Sequence, residues 1–567
     1  MWVKMFSFFV GSVISIHLFF FFFFFFLFYM SCVMGGSGLV VEWELSEKMV
    51  GEMGLCMVVD WVSCLFLMSV VYISGCVSVF SGFYMSHEKF VKRFLYLVQS
   101  FVLFMILLIL FPSYLGLMVG WDGLGVVSFL LVVYYMNSES LSAGMITALS
   151  NRVGDVFFIV AIGVMSCSLS YNASSGLDLS PAVLGFLVMG GSMTKSAQVP
   201  FSAWLPEAMA APTPVSTLVH SSTLVTAGVY VLIRFGDYLG EFEKCMLMVL
   251  SMVTVVLAGS SGCAEVDMKK VVALSTLSQV GMMMFAISLG ASVVAFFHLL
   301  VHAFFKALMF MCVGGVIFYS GGFQDARYLG GLWYKLPLTS SLLIFSNLSL
   351  MGLPFLSGFY SKELIVGSYL LGSCNLVGFG LLFLSLGFTM CYGTRMVGLM
   401  LQDMGLCSVS HYKMESSYYL GSLVLMSGGA VGTSVFMQSQ LSDLVVGNFM
   451  KGELMYGWLV GVALGMLNVC LLLSLSSGSN SVIKLKEFLS SMWFAKHLSG
   501  NVISSKFLMG VSYLVSYVEM GWIRGYVWEK GVQEMMMGVS NKVRKGNFNF
   551  FGLILFFSFC FVLMIFL

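Results

Sequence analysis

His298, His302 and Lys306 stand four residues apart inside a stretch otherwise made of Phe, Leu, Val, Ala and Met. At 3.6 residues per turn that spacing stacks them on one helix face, as a ladder of groups able to take up and release protons. Ionisable side chains are costly in a membrane interior, and those retained there usually line ion pathways or proton relays. The plainer alternative is a polar seam that only holds helices together.

Two further stretches set a lysine beside helix-breaking residues. GGSMTKSAQVPFSAWLPEAMAAPTPVS places Lys195 before Pro200 and Pro206, and NLSLMGLPFLSGFYSKE places Pro354 and Gly358 before Lys362. Proline removes a backbone donor and clashes with the preceding turn, so each helix is expected to be interrupted near mid-membrane. Interrupted helices at matching places in two halves mark an inverted-repeat transporter with its ion site at the breaks. The reversed order of Lys and Pro suits that arrangement.

Asp122 in GWDGLG, and Arg152 with Asp155 in SNRVGDVFFIV, add charge to apolar spans. An acid on one helix paired with a lysine on another keeps both charged at tolerable cost, whereas an isolated buried lysine sheds its proton. A lysine alternating between those states moves a proton. His220, set among hydroxyls in VSTLVHSSTLVTAGVY, is either a packing residue or a further relay member.

Composition places these residues in a membrane. Of 567 residues 59% are hydrophobic and 9% charged, against about 25% charged in soluble domains, so a polytopic membrane protein is the class that fits. A net charge of +1 leaves no basic surface for nucleic acid. The 13 cysteines contain no C-x-x-C, and most lie in apolar runs where Cys behaves as a small hydrophobe. With no G-x-G-x-x-G opening a helix after a strand and no Walker loop, no metal, haem, iron–sulfur cluster or nucleotide is expected on this chain. The heavy use of Gly, Phe and Met, with 8 Pro, fits a T- and G-rich coding strand read with extra Met codons, as in organelle genomes.

The elements that must carry the charged groups follow from apolar runs of about 20 residues. They suggest roughly fifteen spans: 5–34, 59–84, 93–111, 114–135, 144–168, 182–204, 212–235, 244–262, 270–289, 293–319, 336–367, 374–401, 416–437, 455–474 and 548–567. The first, with eight consecutive Phe from Phe19 to Phe26, is too long for a signal-peptide core and reads as a retained helix. Residues 482–545 mix Lys, Arg and Glu with Phe, Leu, Val, Tyr and Trp, which suggests an amphipathic helix along the membrane surface. Continuous, it would run about 90 Å; Gly500, Gly510, Gly521 and Gly525 favour a linker with shorter helices instead.

GWDGLGVVSFLL, NRVGDVFFI, KSAQVPFSAWLPEAMAAPTPVSTLVHSSTLVTAGVYVLIRF, DMKKVVALSTLSQVG, HLLVHAFFKALMFMCVG and GLPFLSGFYSKE resemble the chain 5 family of mitochondrial NADH–ubiquinone oxidoreductase, the distal antiporter-like subunits of respiratory complex I. The specific motifs run from about Trp43 to Lys362; the remainder agrees in layout. The resemblance implies an all-α antiporter-like core with two broken helices, a lateral helix bracing neighbouring pump subunits, and a final anchor helix. It implies the proton relay Asp122, Lys195, His220, His298, His302, Lys306, Lys362 and Glu363. Arg152 and Asp155 match a polar pair near the channel entry, and Asp267, Lys269 and Lys270 a loop and helix start. The implied setting is the mitochondrial inner membrane, beside other membrane-arm subunits, with FMN, iron–sulfur clusters and ubiquinone elsewhere in the complex.

The sequence departs from the family pattern in three ways. Asp122 stands where Glu is usual, Glu363 where Asp is usual, and the residues before Gly38 are too few for the usual two helices, so one N-terminal helix is expected to be missing. The shorter Asp122 carboxylate is expected to face Lys195 across a gap or a water. The expected organisation is 1–92 N-terminal helices, 93–235 and 236–401 antiporter-like halves, 402–481 additional helices, 482–545 lateral helix and 546–567 anchor. Two rival readings are a sodium/proton antiporter subunit and a purely structural membrane subunit.

Overall fold

The computed structural model describes residues 38–44, 54–167, 181–371, 376–401, 415–445, 486–498, 504–529 and 531–544, with scattered positions between 15 and 29. The expected spans 455–474 and 548–567 lie outside the described residues, as does most of 5–34.

Ten described helices are long and apolar enough to cross a bilayer, and two shorter apolar helices accompany them. They make this a multi-pass membrane protein. In chain order the helices are α1 (Trp61–Tyr84), α2 (Val91–Leu110), α3 (Tyr114–Val132), α4 (Ser138–Cys167), α5 (Pro181–Lys195), α6 (Thr213–Arg234), α7 (Glu241–Ala264), α8 (Met268–Ser288), α9 (Ser292–Tyr319), α10 (Pro337–Met351), α11 (Ser357–Leu371), α12 (Leu376–Leu401) and α13 (Ser417–Val445); α5 and α10 are the two shorter apolar ones, and α11 is a further helix outside both groups.

Burial ranks these helices. The apolar windows of α8 and α9 are 100% buried, whereas that of α4 is 33% buried, so α8 and α9 form the centre and α4 lies on the rim. Apart from His298, His302 and Lys306, helix α9 is apolar all round, as suits a helix surrounded by other helices. Its neighbours include α8, α10, α11, α13, α1 and α6.

Local chemistry sets the helix ends. Asp60 caps α1 reciprocally: its carboxylate accepts from Ser63 N at 3.2 Å, and Asp60 N donates to Ser63 Oγ at 2.8 Å. Ser113 caps α3 by accepting from Gly116 N. Pro337 opens α10 at its first turn, where a missing N–H costs nothing. Gly352 closes that helix with φ +83, a left-handed conformation that glycine adopts without strain.

Three local features differ from the sequence reading. Residues 39–44 and 54–59 pair as an antiparallel hairpin, Leu39 opposite Val59 and Glu44 opposite Gly54, so the described fold is helical with one small sheet. The runs LVVEWE and GLCMVV are rich in β-branched residues and too short to span. The run expected at 182–204 stops being helical at Lys195. Within α6, Ser216–Thr223 winds as a π-helix, in which Thr223 Oγ1 donates to Leu218 O at 2.6 Å and Ser222 Oγ to the same carbonyl at 3.1 Å.

The chain forms two compact units, Met1–Lys496 and His497–Leu567. In the second, Ser504–Leu514, Val515–Glu529 and Gly531–Arg544 are helical. Phe507, Leu508, Tyr513, Tyr517 and Trp522 are all exposed there.

Candidate functional site

Charged and protonatable side chains gather at two places inside the first unit. At the first, Lys195 ends α5 with no solvent exposure. Its Nζ donates to Trp121 O at 2.7 Å and lies 3.8 Å from the centre of the Trp121 ring, so one residue supplies both a carbonyl and a π-face to the ammonium. Phe158 holds that ring edge-on at 4.7 Å. Trp204 Nε1 donates to Thr194 O at 2.9 Å, fixing the end of α5 where the chain turns away.

Helix α4 brings the acids. Arg152 Nη1 lies 3.0 Å from Asp155 Oδ2 and 3.7 Å from Asp122 Oδ1. Asp155 is buried, while the Asp122 and Arg152 side chains remain 43% and 56% exposed. Asp155, Asp122 and Arg152 all act electrostatically on Lys195. The approach of α4 to α5 depends on Gly154, where a Cβ would meet Thr194 Oγ1 at 2.1 Å.

Asp122 was expected to face Lys195 across a gap or a water; among the described residues no ion pair joins the two, and the nearest charged partner of the Asp122 carboxylate is Arg152, at 3.7 Å. Successive helical residues point about 100° apart. With Trp121 directed inward at 0% exposure, Asp122 is turned toward α4. Asp155 is the more deeply buried of the two acids.

At the second place the ladder of α9 is intact and buried: His298 is 2% exposed, His302 and Lys306 0%. Lys306 Nζ donates to Ser275 Oγ at 2.5 Å. His298 Nδ1 lies 2.9 Å from Ser361 Oγ and its Nε2 3.1 Å from Gln279 Oε1. The His298 and His302 ring centres are 6.3 Å apart, and neither nitrogen of His302 has a hydrogen-bond partner among the described residues. Buried polar atoms without protein partners are ordinarily satisfied by water.

Lys362, also buried, donates from Nζ to Leu350 O at 2.5 Å, and Glu363 beside it is 5% exposed. The chain leaves α10 at Met351 and resumes as α11 at Ser357, with Pro354 between. Gly358 lies against this break, where a Cβ would meet Ser349 O at 1.9 Å. Pro200 and Pro206 lie in the turn and short helix after Lys195.

His220 sits in the π-helical part of α6, buried, with both ring nitrogens unpartnered and its ring 6.2 Å from that of Trp204. Among the described residues no hydrogen bond or ion pair links it to either cluster. Lys270 pairs with Asp267 at 3.3 Å at the start of α8, and Lys269 Nζ donates to Ala211 O at 3.4 Å.

Sequence reasoning missed the side chains that hold the ladder: Ser275, Gln279, Ser361 and Tyr392. Ser275 and Gln279 are four residues apart on α8 and face Lys306 and His298 on α9. The available signal was the polar cluster Ser275, Thr276, Ser278 and Gln279 within an apolar span, with Ser275 and Gln279 at helical spacing.

The chain matches two protein families: "NADH:quinone oxidoreductase/Mrp antiporter, TM" over residues 112–389, and "NADH dehydrogenase subunit 5 C-terminus" over 392–567. The NADH-ubiquinone oxidoreductase chain 5 of Anopheles gambiae is 40% identical over 496 residues, 85% of each chain. That of Lumbricus terrestris is 40% identical over 495 residues, 85% of this chain and 84% of the relative. Among solved structures, the Mrp complex from Dietzia sp. aligns with a TM-score of 0.69 at 24% identity, covering 90% of this chain, which spans 60% of the length of that one. The membrane-bound sulfane sulfur reductase, an archaeal respiratory membrane complex, aligns with a TM-score of 0.67 at 20% identity, covering 78% of this chain and 95% of that one. The structural likenesses establish the fold. The sequence relatives and the C-terminal family match, which reaches beyond the motifs read from sequence, establish that this chain belongs to the NADH-ubiquinone oxidoreductase chain 5 family.

Proposed function

We propose that this chain is a proton-translocating, antiporter-like subunit of the membrane arm of NADH:ubiquinone oxidoreductase in the mitochondrial inner membrane. Electrons pass through FMN, iron–sulfur clusters and ubiquinone held by other subunits. This chain answers quinone reduction by shifting protons along Asp122, Lys195, His220, His298, His302, Lys306, Lys362 and Glu363. The observation that carries the reading is the buried ladder His298, His302, Lys306 with His302 unpartnered; burial on this scale is costly without a use for the charge.

Residues 93–235 and 236–401 act as two halves of an inverted repeat, with the helix ends at Lys195 and Met351 as their breaks. Arg152, between two acids, links the exposed Asp122 to the buried Asp155 and Lys195. Half-exposed charges within membrane spans are poorly served by lipid, so a neighbouring membrane-arm subunit covers this face. The lateral helix braces such neighbours, and Asp267, Lys269 and Lys270 fix the start of α8.

The test is proton uptake measured with quinone reduction in assembled complexes in liposomes, with and without sodium. Proton uptake coupled to quinone reduction and indifferent to sodium is expected. A strict sodium requirement would favour a sodium/proton antiporter, and unchanged uptake after replacing both His302 and Lys306 would leave a structural subunit.

A further inference from the structure

The His298 ring is held at both nitrogens, and the less expected partner is Gln279. Gln279 has no solvent exposure; while its Oε1 faces His298, its Nε2 donates to Tyr392 Oη at 3.5 Å. That phenol lies 3.3 Å from Ser278 Oγ and is itself buried. A carboxamide has one accepting and one donating end, and a neutral imidazole has one of each. With Oε1 toward the ring, Nε2 of His298 carries the hydrogen and Nδ1 is left to accept from the Ser361 hydroxyl. Ser361 Oγ also has Gly358 O within 3.3 Å. When Nδ1 gains a proton, the hydroxyl turns to that carbonyl and accepts from the ring.

We infer that Gln279, oriented by Tyr392, is a positioning residue that selects Nδ1, the nitrogen facing Ser361, as the one through which His298 exchanges its proton. The inference rests on the relay reading above. A histidine that loads and unloads through a defined nitrogen passes protons in a defined direction, whereas a freely rotating ring does not. The titratable groups facing His298 are Lys362 on α11, His302 on its own helix, and Tyr392 behind Gln279.

The test uses the assembled complex with four variants, following proton uptake per quinone reduced across pH and assembly by native gel. Gln279→Met keeps the volume and removes both hydrogen bonds; uptake should fall on the order of tenfold. Gln279→Glu keeps the acceptor; uptake should largely return, with the pH profile displaced upward by about one unit because a carboxylate favours the imidazolium. Tyr392→Phe, which removes the orienting hydroxyl, should give a partial loss. His298→Ala tests the relay itself. If His298→Ala abolishes uptake while the Gln279 variants match wild type in rate and pH profile, Gln279 is a packing residue and the inference falls with the relay intact. Normal uptake in His298→Ala overturns both. Should Gln279→Met fail to assemble, an undisplaced profile in Gln279→Glu overturns the inference alone.

Discussion

Lys306 and His302 differ in how they are held, and that difference sets what their loss should do. Lys306 has Ser275 Oγ as a direct acceptor, whereas His302 has no hydrogen-bond partner among the described residues. A side chain with no hydrogen bond to a described neighbour leaves no partner orphaned when it is removed. His302→Ala is therefore expected to assemble normally and to lower proton uptake roughly tenfold, with quinone reduction falling through coupling. Lys306→Ala should lower uptake at least as much. Unchanged uptake in both variants would reduce the ladder to a packing seam. At the first cluster, Asp155 is buried beside Arg152 while Asp122 is half exposed, so Asp155→Asn should impair uptake at least as severely as Asp122→Ala. Asp122→Glu should be tolerated, since a longer arm still reaches Arg152. Initial rates in the three variants decide between the acids.

At the scale of elements, the start of α1 is tied to the end of α6. Arg234 Nη1 and Nη2 each donate to an Asp60 carboxylate oxygen at 2.6 Å, and its Nε donates to Tyr230 Oη at 2.9 Å. Tyr230 Oη in turn donates to Ile109 O on α2. Burial alone would raise the Asp60 carboxyl; the hydrogen bonds and charge of Arg234 outweigh it and hold the group below its ordinary value. A lowered carboxyl contributes stability that is fully present above its unfolded value, about 4, and is lost as pH falls through the folded value. Asp60→Asn should therefore destabilise the protein at neutral pH, by about 1–2 kcal/mol for a half-buried, solvent-screened pair. The gap to wild type should narrow below pH 4 in thermal melts. This latch was not legible in the sequence, because Asp60 and Arg234 are 174 positions apart and neither belongs to a periodic pattern. The spans were legible because apolar length is a local property. The turn of Asp122 toward Arg152 was not, since it depends on how α3 is rotated about its axis. The π-helical stretch escaped for a similar reason: its Ser and Thr side chains bond to backbone in a way that sequence does not announce.

At the scale of the whole molecule, residues 482–545 were expected as one amphipathic element. From Ser504 on the described parts are helical with large apolar side chains exposed, whereas 491–494 form a turn. Apolar surface of this kind is stabilised only when covered by protein or lipid. Deletion of 482–545 is expected to reduce full-size complex on native gels before it changes turnover per assembled complex; stable full-size assemblies would count against a brace.

Helix α8 also has a mechanical meaning. Near its start Lys269 donates to Ala211 O, in the stretch between α5 and α6, while Ser275 and Gln279 hold Lys306 and His298 on α9. A helix transmits axial motion as a rod. A slide of about 1.5 Å, one residue's rise, would shift all three grips at once, because they sit on one rigid element. One helix thus ties the stretch after Lys195 to the ladder of α9, so a displacement at either place is felt at the other through a single rod.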